Sequence, residues 1–126
     1  MKYRLFVIVA FAGLVAMFAA TANAQKVGGY KEISKDDAGA RAAAEFAVSA
    51  EAEKTGRSIT FIAVLGAERQ VVAGSNYRLC IKVTSQGVDG EADATHAVKV
   101  VVYQNLKQEY SLTSWEKSDC DEDDDN

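Results

Sequence analysis

The chain has 126 residues, with 14 Lys or Arg against 18 Asp or Glu, one His, two Cys, no Pro and a net charge of −4. A chain of this length holds one ordinary hydrophobic core, and no basic patch interleaved with aromatics offers a nucleic-acid surface. The single histidine, His96, and the distant Cys80 and Cys120 build neither a metal-ligand spacing nor a nucleophile–base constellation, so an enzyme, a metal site or a cofactor is not expected.

Met1 to Arg4 places two positive charges ahead of an almost unbroken apolar run from Leu5 to Ala20, and Thr21-Ala22-Asn23-Ala24 follows with small residues. That order describes a secretory signal over residues 1–24, cleaved between Ala24 and Gln25. The apolar run is also close to spanning length, which leaves an uncleaved anchor as the alternative. No later stretch is long and apolar enough to cross a membrane, so no membrane contact is expected after cleavage. The expected destination is outside the cell or in the secretory and vacuolar pathway. Charge is unevenly placed in what remains. Gln25 to Trp115 carries eleven bases and eleven acids, whereas from Glu116 onward seven acids face Lys117 alone. The division is therefore a folded domain over 25–117 and an acidic, disordered tail over 118–126.

Residues 25–35 read as an extended arm. Gly28-Gly29 leaves a slim backbone that another protein can approach closely, and Val27 precedes it as a lone apolar plug. Taken alone, such a stretch also fits an unremarkable flexible terminus. Ser34-Lys35-Asp36-Asp37 then has the form of a near capping box, with Ser34 as the cap. From Ala38 to about Lys54, Ala43, Phe46, Ala47 and Ala50 recur at three and four residues, predicting one helix stopped by Gly56. Phe46 is its expected anchor, and the alanines let a sheet come close.

Beyond Gly56 the period becomes two, and four strands are expected over 58–72, 76–85, 94–103 and about 109–115. In the second, Tyr77, Leu79, Ile81 and Val83 share one face and Arg78, Cys80 and Lys82 the other. One sheet face is then apolar and the other wet, as a single covering helix requires. Gln70-Val71-Val72-Ala73-Gly74 runs into Ser75-Asn76-Tyr77-Arg78-Leu79, which is the grammar of a hairpin with a small, weakly charged tip. Glu68-Arg69 just before it reads as a solvated rim, and Gln86 to Glu91 as a polar loop tolerant of insertion. Cys80 faces outward and Cys120 lies in a tail able to fold back, so an exported chain offers one disulfide, with two free thiols as the alternative. The six acids of Asp119 to Asn126 lack the glycine turn and bidentate Glu spacing of a calcium loop.

Four pieces in this order resemble the cystatin family, and specifically its plant-type branch. They are Gly28-Gly29 before Tyr30-Lys31-Glu32-Ile33-Ser34, Phe46-Ala47-Val48 in the helix, the Gln-x-Val-x-Gly motif at Gln70 to Gly74, and Leu112-Thr113-Ser114-Trp115 near the end. The resemblance spans nearly the whole chain after the signal. It implies an α+β fold, a five-stranded antiparallel sheet wrapped around one helix, with a short first strand near Tyr30–Ile33. It also implies reversible, tight inhibition of papain-like cysteine proteases by a monomer, with a domain-swapped dimer left open. Val27, Gly28 and Gly29 would lie in the non-primed side of the cleft, and Gln70, Val71, Val72, Ala73 and Gly74 over the catalytic residues. One departure stands out: the family usually carries Pro-Trp in its second hairpin, and here the stretch is Gln104-Asn105-Leu106-Lys107-Gln108. Leu106 is the substitute apolar contact. A cystatin-fold module with weak or no inhibition is therefore the alternative function, and an acidic ion-binding protein working through its tail is a third.

Overall fold

The structure, a computed structural model, describes residues 29–120. The signal over 1–24, Val27, Gly28 and the acids from Asp121 onward lie outside the described residues. The single helix, α1 (Ala38–Thr55), begins where Asp37, in extended backbone, turns its carboxylate to accept from the Ala40 amide at 2.9 Å. Asp37 is thus the cap, in place of Ser34. The Ser34 hydroxyl instead accepts from the Asp36 amide and closes the turn one step earlier. The reason is local. An Asx or Ser side chain caps only the first free amides of the helix it directly precedes, and Asp37 stands nearest. At the other end Gly56 adopts φ 71° and donates its amide to the Ala52 carbonyl.

Five strands follow the order β1-β2-β3-β4-β5 with every neighbour antiparallel: β1 (Lys31–Ile33), β2 (Ile59–Val72), β3 (Gly74–Ser85), β4 (Ala94–Gln104) and β5 (Tyr110–Lys117). Tyr77, Leu79, Ile81 and Val83 of β3 are buried, and register sets them beside Val102, Val100, Val98 and His96 of β4. This two-strand grid is the centre of the core. Removing a side chain from it, as in Leu79→Ala, costs about 2–5 kcal/mol. The helix meets the grid through Ala40, Ala43, Ala44, Ala47 and Val48. Phe46, the expected anchor, is only partly buried and stacks on Tyr110 of β5 at 5.4 Å between centroids. Small side chains therefore carry the helix–sheet contact, and the large ring seals its margin. Gly39 shows how tight that contact is: a Cβ there would collide with the Tyr77 hydroxyl.

Two irregularities shape β2. Its pairing with β3 slips between Phe61 and Ala63 and again between Val64 and Gly66, so Ile62 and Leu65 are the extra residues and both are exposed. Bulges of this kind bend a strand and raise its twist. They sit on the part of β2 that the three-residue β1 leaves without a neighbour, where they blunt an open edge. On the sheet face away from the helix, Cys80 and Cys120 form a disulfide with Cα atoms 5.9 Å apart. Cys120 has φ 62°, and the bridge ties the chain after β5 to the middle of β3.

Candidate functional site

Three segments converge at one end of the sheet. The β2–β3 connection is shorter than the three residues, 73–75, that the expected strands leave between them: Val72 pairs with Gly74 and only Ala73 lies between the strands. Gly74, at φ 104°, takes the conformation such a tight reversal needs. A Cβ on it would strike the Gln104 carbonyl and crowd Asn105, so this tip is pressed against the end of β4. The Tyr103 hydroxyl adds a stitch by donating to the Ala73 carbonyl. Behind the tip, Asn76 donates its amide to the Gln70 side chain at 3.0 Å, and Arg69 donates to the Ser75 hydroxyl at 3.1 Å. Arg69 also lies over the Tyr77 ring. Burial raises the Tyr77 phenol above its ordinary value, with Arg69 pulling the other way, so the phenol stays neutral throughout the physiological range.

The second connection, between β4 and β5, is organised by Asn105. Its side-chain oxygen accepts from the Lys107 and Glu109 amides at 2.8 and 2.9 Å, its own amide donates to the Glu109 carbonyl, and its carbonyl accepts from Gln108. Asn and Asp side chains favour turns because they can replace a backbone acceptor in this way. Gln108 takes the left-handed conformation, φ 66°. The result is a closed loop that holds Leu106 at its apex, 79 % exposed. On the neighbouring tip Val71 is 65 % exposed. Two large apolar side chains thus stand in water on adjacent, internally bonded turns.

The third segment enters beside them. β1 pairs Lys31 with Arg69, so Gly29 and Tyr30 lie at the same end. Gly29 is exposed, with nothing within 4 Å of where a Cβ would be. Gly29, Gln70, Val71, Val72, Ala73, Gly74 and Leu106 therefore lie at the same end of the sheet. Cys80 and Cys120 are elsewhere, at mid-sheet on the face away from the helix. His96 is further still, near the start of β4, half-buried with Nδ1 enclosed and lacking a partner among the described residues.

Glu68 and Arg69 do more than form a solvated rim. Glu68 is engaged in a two-point fork with Arg78, Nε and Nη2 each donating at 2.9 Å. Tyr30, Arg78, Tyr103 and Asn105 shape this end of the molecule, and of these only Asn105 carries a local turn signal. The others act through partners on different strands.

Comparison with known proteins bears on this geometry. Residues 30–118 match the SQAPI family model, described as aspartic acid proteinase inhibitor. Salivary cystatin-L2 of Ixodes scapularis is 35 % identical, the match covering 71 % of this chain and 80 % of that protein. The crystal structure of a salivary cystatin from the soft tick Ornithodoros moubata superposes with a TM-score of 0.59 at 26 % identity, over 74 % of this chain and 99 % of that one. These matches bear out the five-stranded, one-helix fold, and they support the cystatin resemblance without its plant-type subdivision. The chain belongs to the cystatin-like family, whose matched members are inhibitors and not enzymes.

Proposed function

We propose that this protein is a secreted, reversible inhibitor of papain-like cysteine proteases that acts as a wedge. The observation that carries the reading is the pair of bare apolar side chains, Val71 and Leu106, on two turns locked to each other beside the chain entry at Gly29. Exposed apolar groups on pre-ordered backbone bind with little further loss of conformational entropy. The β2–β3 tip, Gln70 to Gly74, would enter the cleft over the catalytic cysteine and histidine. The arm, Val27 to Gly29, would run along the non-primed side with Val27 toward the apolar S2 pocket, and Leu106 would touch the primed side. No scissile peptide is offered to the nucleophile in this arrangement, so the inhibitor would block the cleft without being cut.

The domain of 25–117 would act as a monomer after loss of residues 1–24, in keeping with the salivary origin of the named relatives. The plant-type character belongs to this reading only through the sequence motifs at Phe46 to Val48 and Leu112 to Trp115. A second reading is favoured by the description of the matched family model: inhibition of an aspartic protease through the same three segments. Titration of the purified protein against papain and against pepsin, each at its working pH, separates the two. Inhibition of papain alone supports the wedge. Inhibition of pepsin alone replaces the target class, and inhibition of neither leaves a binding module.

A further inference from the structure

The arm is held by very little backbone. β1 contributes three register pairs, Lys31 with Arg69, Glu32 with Glu68 and Ile33 with Ala67, and edge strands that short open at small cost. A side-chain assembly sits where that strand would fray. Arg78 and Glu68 are directly opposed on β3 and β2, and the guanidinium meets the carboxylate through two parallel donors at 2.9 Å. Its Cζ then lies over the Tyr30 ring, 4.1 Å from the centroid.

The pair is unlike an ordinary surface salt bridge. Arg41 and Glu45 on the helix are 69 % and 56 % exposed and joined at one nitrogen, a type of pair worth little. Arg78 and Glu68 are 31 % and 38 % exposed, with both ends of the fork used. A guanidinium locked by a bidentate carboxylate has a fixed plane, and a fixed plane is what an aromatic ring stacks on. Tyr30 is half-buried against it, while Gly29, one residue earlier, is exposed, with nothing within 4 Å of where a Cβ would be.

We propose that Arg78, oriented by Glu68, is a positioning residue that clamps Tyr30 and so fixes the direction in which the arm leaves the sheet toward the protease cleft. The role in inhibition rests on the wedge reading given above; the clamp itself can be tested without a protease. The clamp acts by restricting the hinge at Gly29–Tyr30, so that the arm is presented rather than searching. Its specificity lies in shape as well as charge. Lysine at position 78 would keep the positive charge but lose the fork and the flat face, and phenylalanine at position 30 would keep the ring.

Two measurements on the chain beginning at Gln25 test this. In the free protein, amide order parameters near 0.85 mark rigid backbone and values below about 0.6 a flexible one. Gly29 and Tyr30 are expected near the rigid value in the parent and in Tyr30→Phe, and to fall toward the flexible one in Arg78→Ala, Arg78→Lys and Tyr30→Ala. The amides of β3 and β4 should keep their values in every variant. Against papain, Arg78→Ala should raise the inhibition constant about fivefold in the full arm, within the range of one stacked cation, and not at all once residues 25–29 are removed. Unchanged order at Gly29 and Tyr30 in Arg78→Ala overturns the clamp. An equal loss of inhibition with and without the arm overturns its role in inhibition, because the effect would then come from the sheet. A parent that inhibits no protease overturns the wedge reading and that role together, while the order parameters alone still decide the clamp.

Discussion

At one end of the sheet, β2 and β3 are joined through Ala73 alone, and the β4–β5 loop is closed by the two amides that Asn105 accepts. At the other end, β3 and β4 are joined by the polar segment from Gln86 to Asp93, held by a Gly87 amide donated to Asp93 and a Glu91 amide donated to the Val88 carbonyl. Both ends carry exposed apolar residues, Val71 and Leu106 at the first and Val88 at the second. The difference lies in how they are held. The first pair sits on turns that bond to each other through Tyr103, and the lone valine sits in a longer loop that is tied to Ser58 through Gln86 at its start and is otherwise held by bonds within itself. Rigid turns that display apolar side chains have the form of a contact surface, and a longer polar loop has the form of a connection.

The largest effect should come from placing a charge on the tip. Val71→Asp exchanges an exposed valine for a carboxylate that binding would bury, and an unpaired buried charge costs several kcal/mol. Inhibition of papain is expected to fall by more than about 100-fold, which corresponds to ~3 kcal/mol, with the melting temperature unchanged. Val88→Asp is the matching change at the other end and should do neither. Equal losses from the two would erase the contrast between the ends. Gly74→Arg is a poorer probe, because any side chain there collides with Gln104 and moves the tip itself.

Loss of the disulfide should divide stability from inhibition. The bridge spans a sequence separation of 40, and the loop-entropy relation assigns a crosslink of that length about 3–4 kcal/mol. Cys80→Ser with Cys120→Ser should lower stability by that amount in denaturant titration, and the inhibition constant should move less than about twofold, since the bridge touches neither turn. A large loss of inhibition at temperatures where the variant is folded would mean that the tail reaches the tips.

How far these features could be read in the sequence depends on the range of the interaction that makes them. The helix and the alternating faces of β3 arise within a few residues, and Tyr77, Leu79, Ile81 and Val83 announce themselves by spacing. The bulges at Ile62 and Leu65 do not, because the run from Ile59 to Leu65 is apolar enough to hide a slip of one residue. The shortness of the tip is hidden for a related reason: Gly74 and Ser75 look like turn residues, yet they pair with Val72 and Val71, and Ser75 is buried. The cap moved from Ser34 to Asp37 because several polar residues compete for one role. The Tyr30–Arg78 contact joins residues from β3 and the chain before β1, and no window along the chain contains both.

A smaller effect is expected from Asn105→Ala. It removes the acceptor for two backbone amides and frees the loop that carries Leu106, at a cost of about 1 kcal/mol in stability. Inhibition should weaken about fivefold, mainly through faster dissociation. Leu106→Trp tests the same loop from the other side. The larger ring should slow dissociation and tighten binding severalfold, since aromatic anchors often dominate such contacts. An Asn105→Ala variant with unchanged inhibition would show that the second turn is a bystander.

The smallest effect belongs to Trp115, and it is the control on the whole comparison. Trp115 of β5 pairs with Val100 of β4, packs on the margin of the core and lines a cavity of about 330 Å³ with His96 at the end of the sheet away from the tips. Its indole is therefore a large aromatic side chain placed at the wrong end for the wedge. Trp115→Phe trims the ring and leaves most of the apolar contact, so stability should fall by about 1 kcal/mol. Papain inhibition should stay within about twofold, as expected for a site with no shared partners. If the folded variant instead loses inhibition while Val71→Asp keeps it, the contact surface lies around Trp115 and the cavity beside it. The two ends would then exchange roles, and the rigid turns at Ala73 and Leu106 would be left as structure alone.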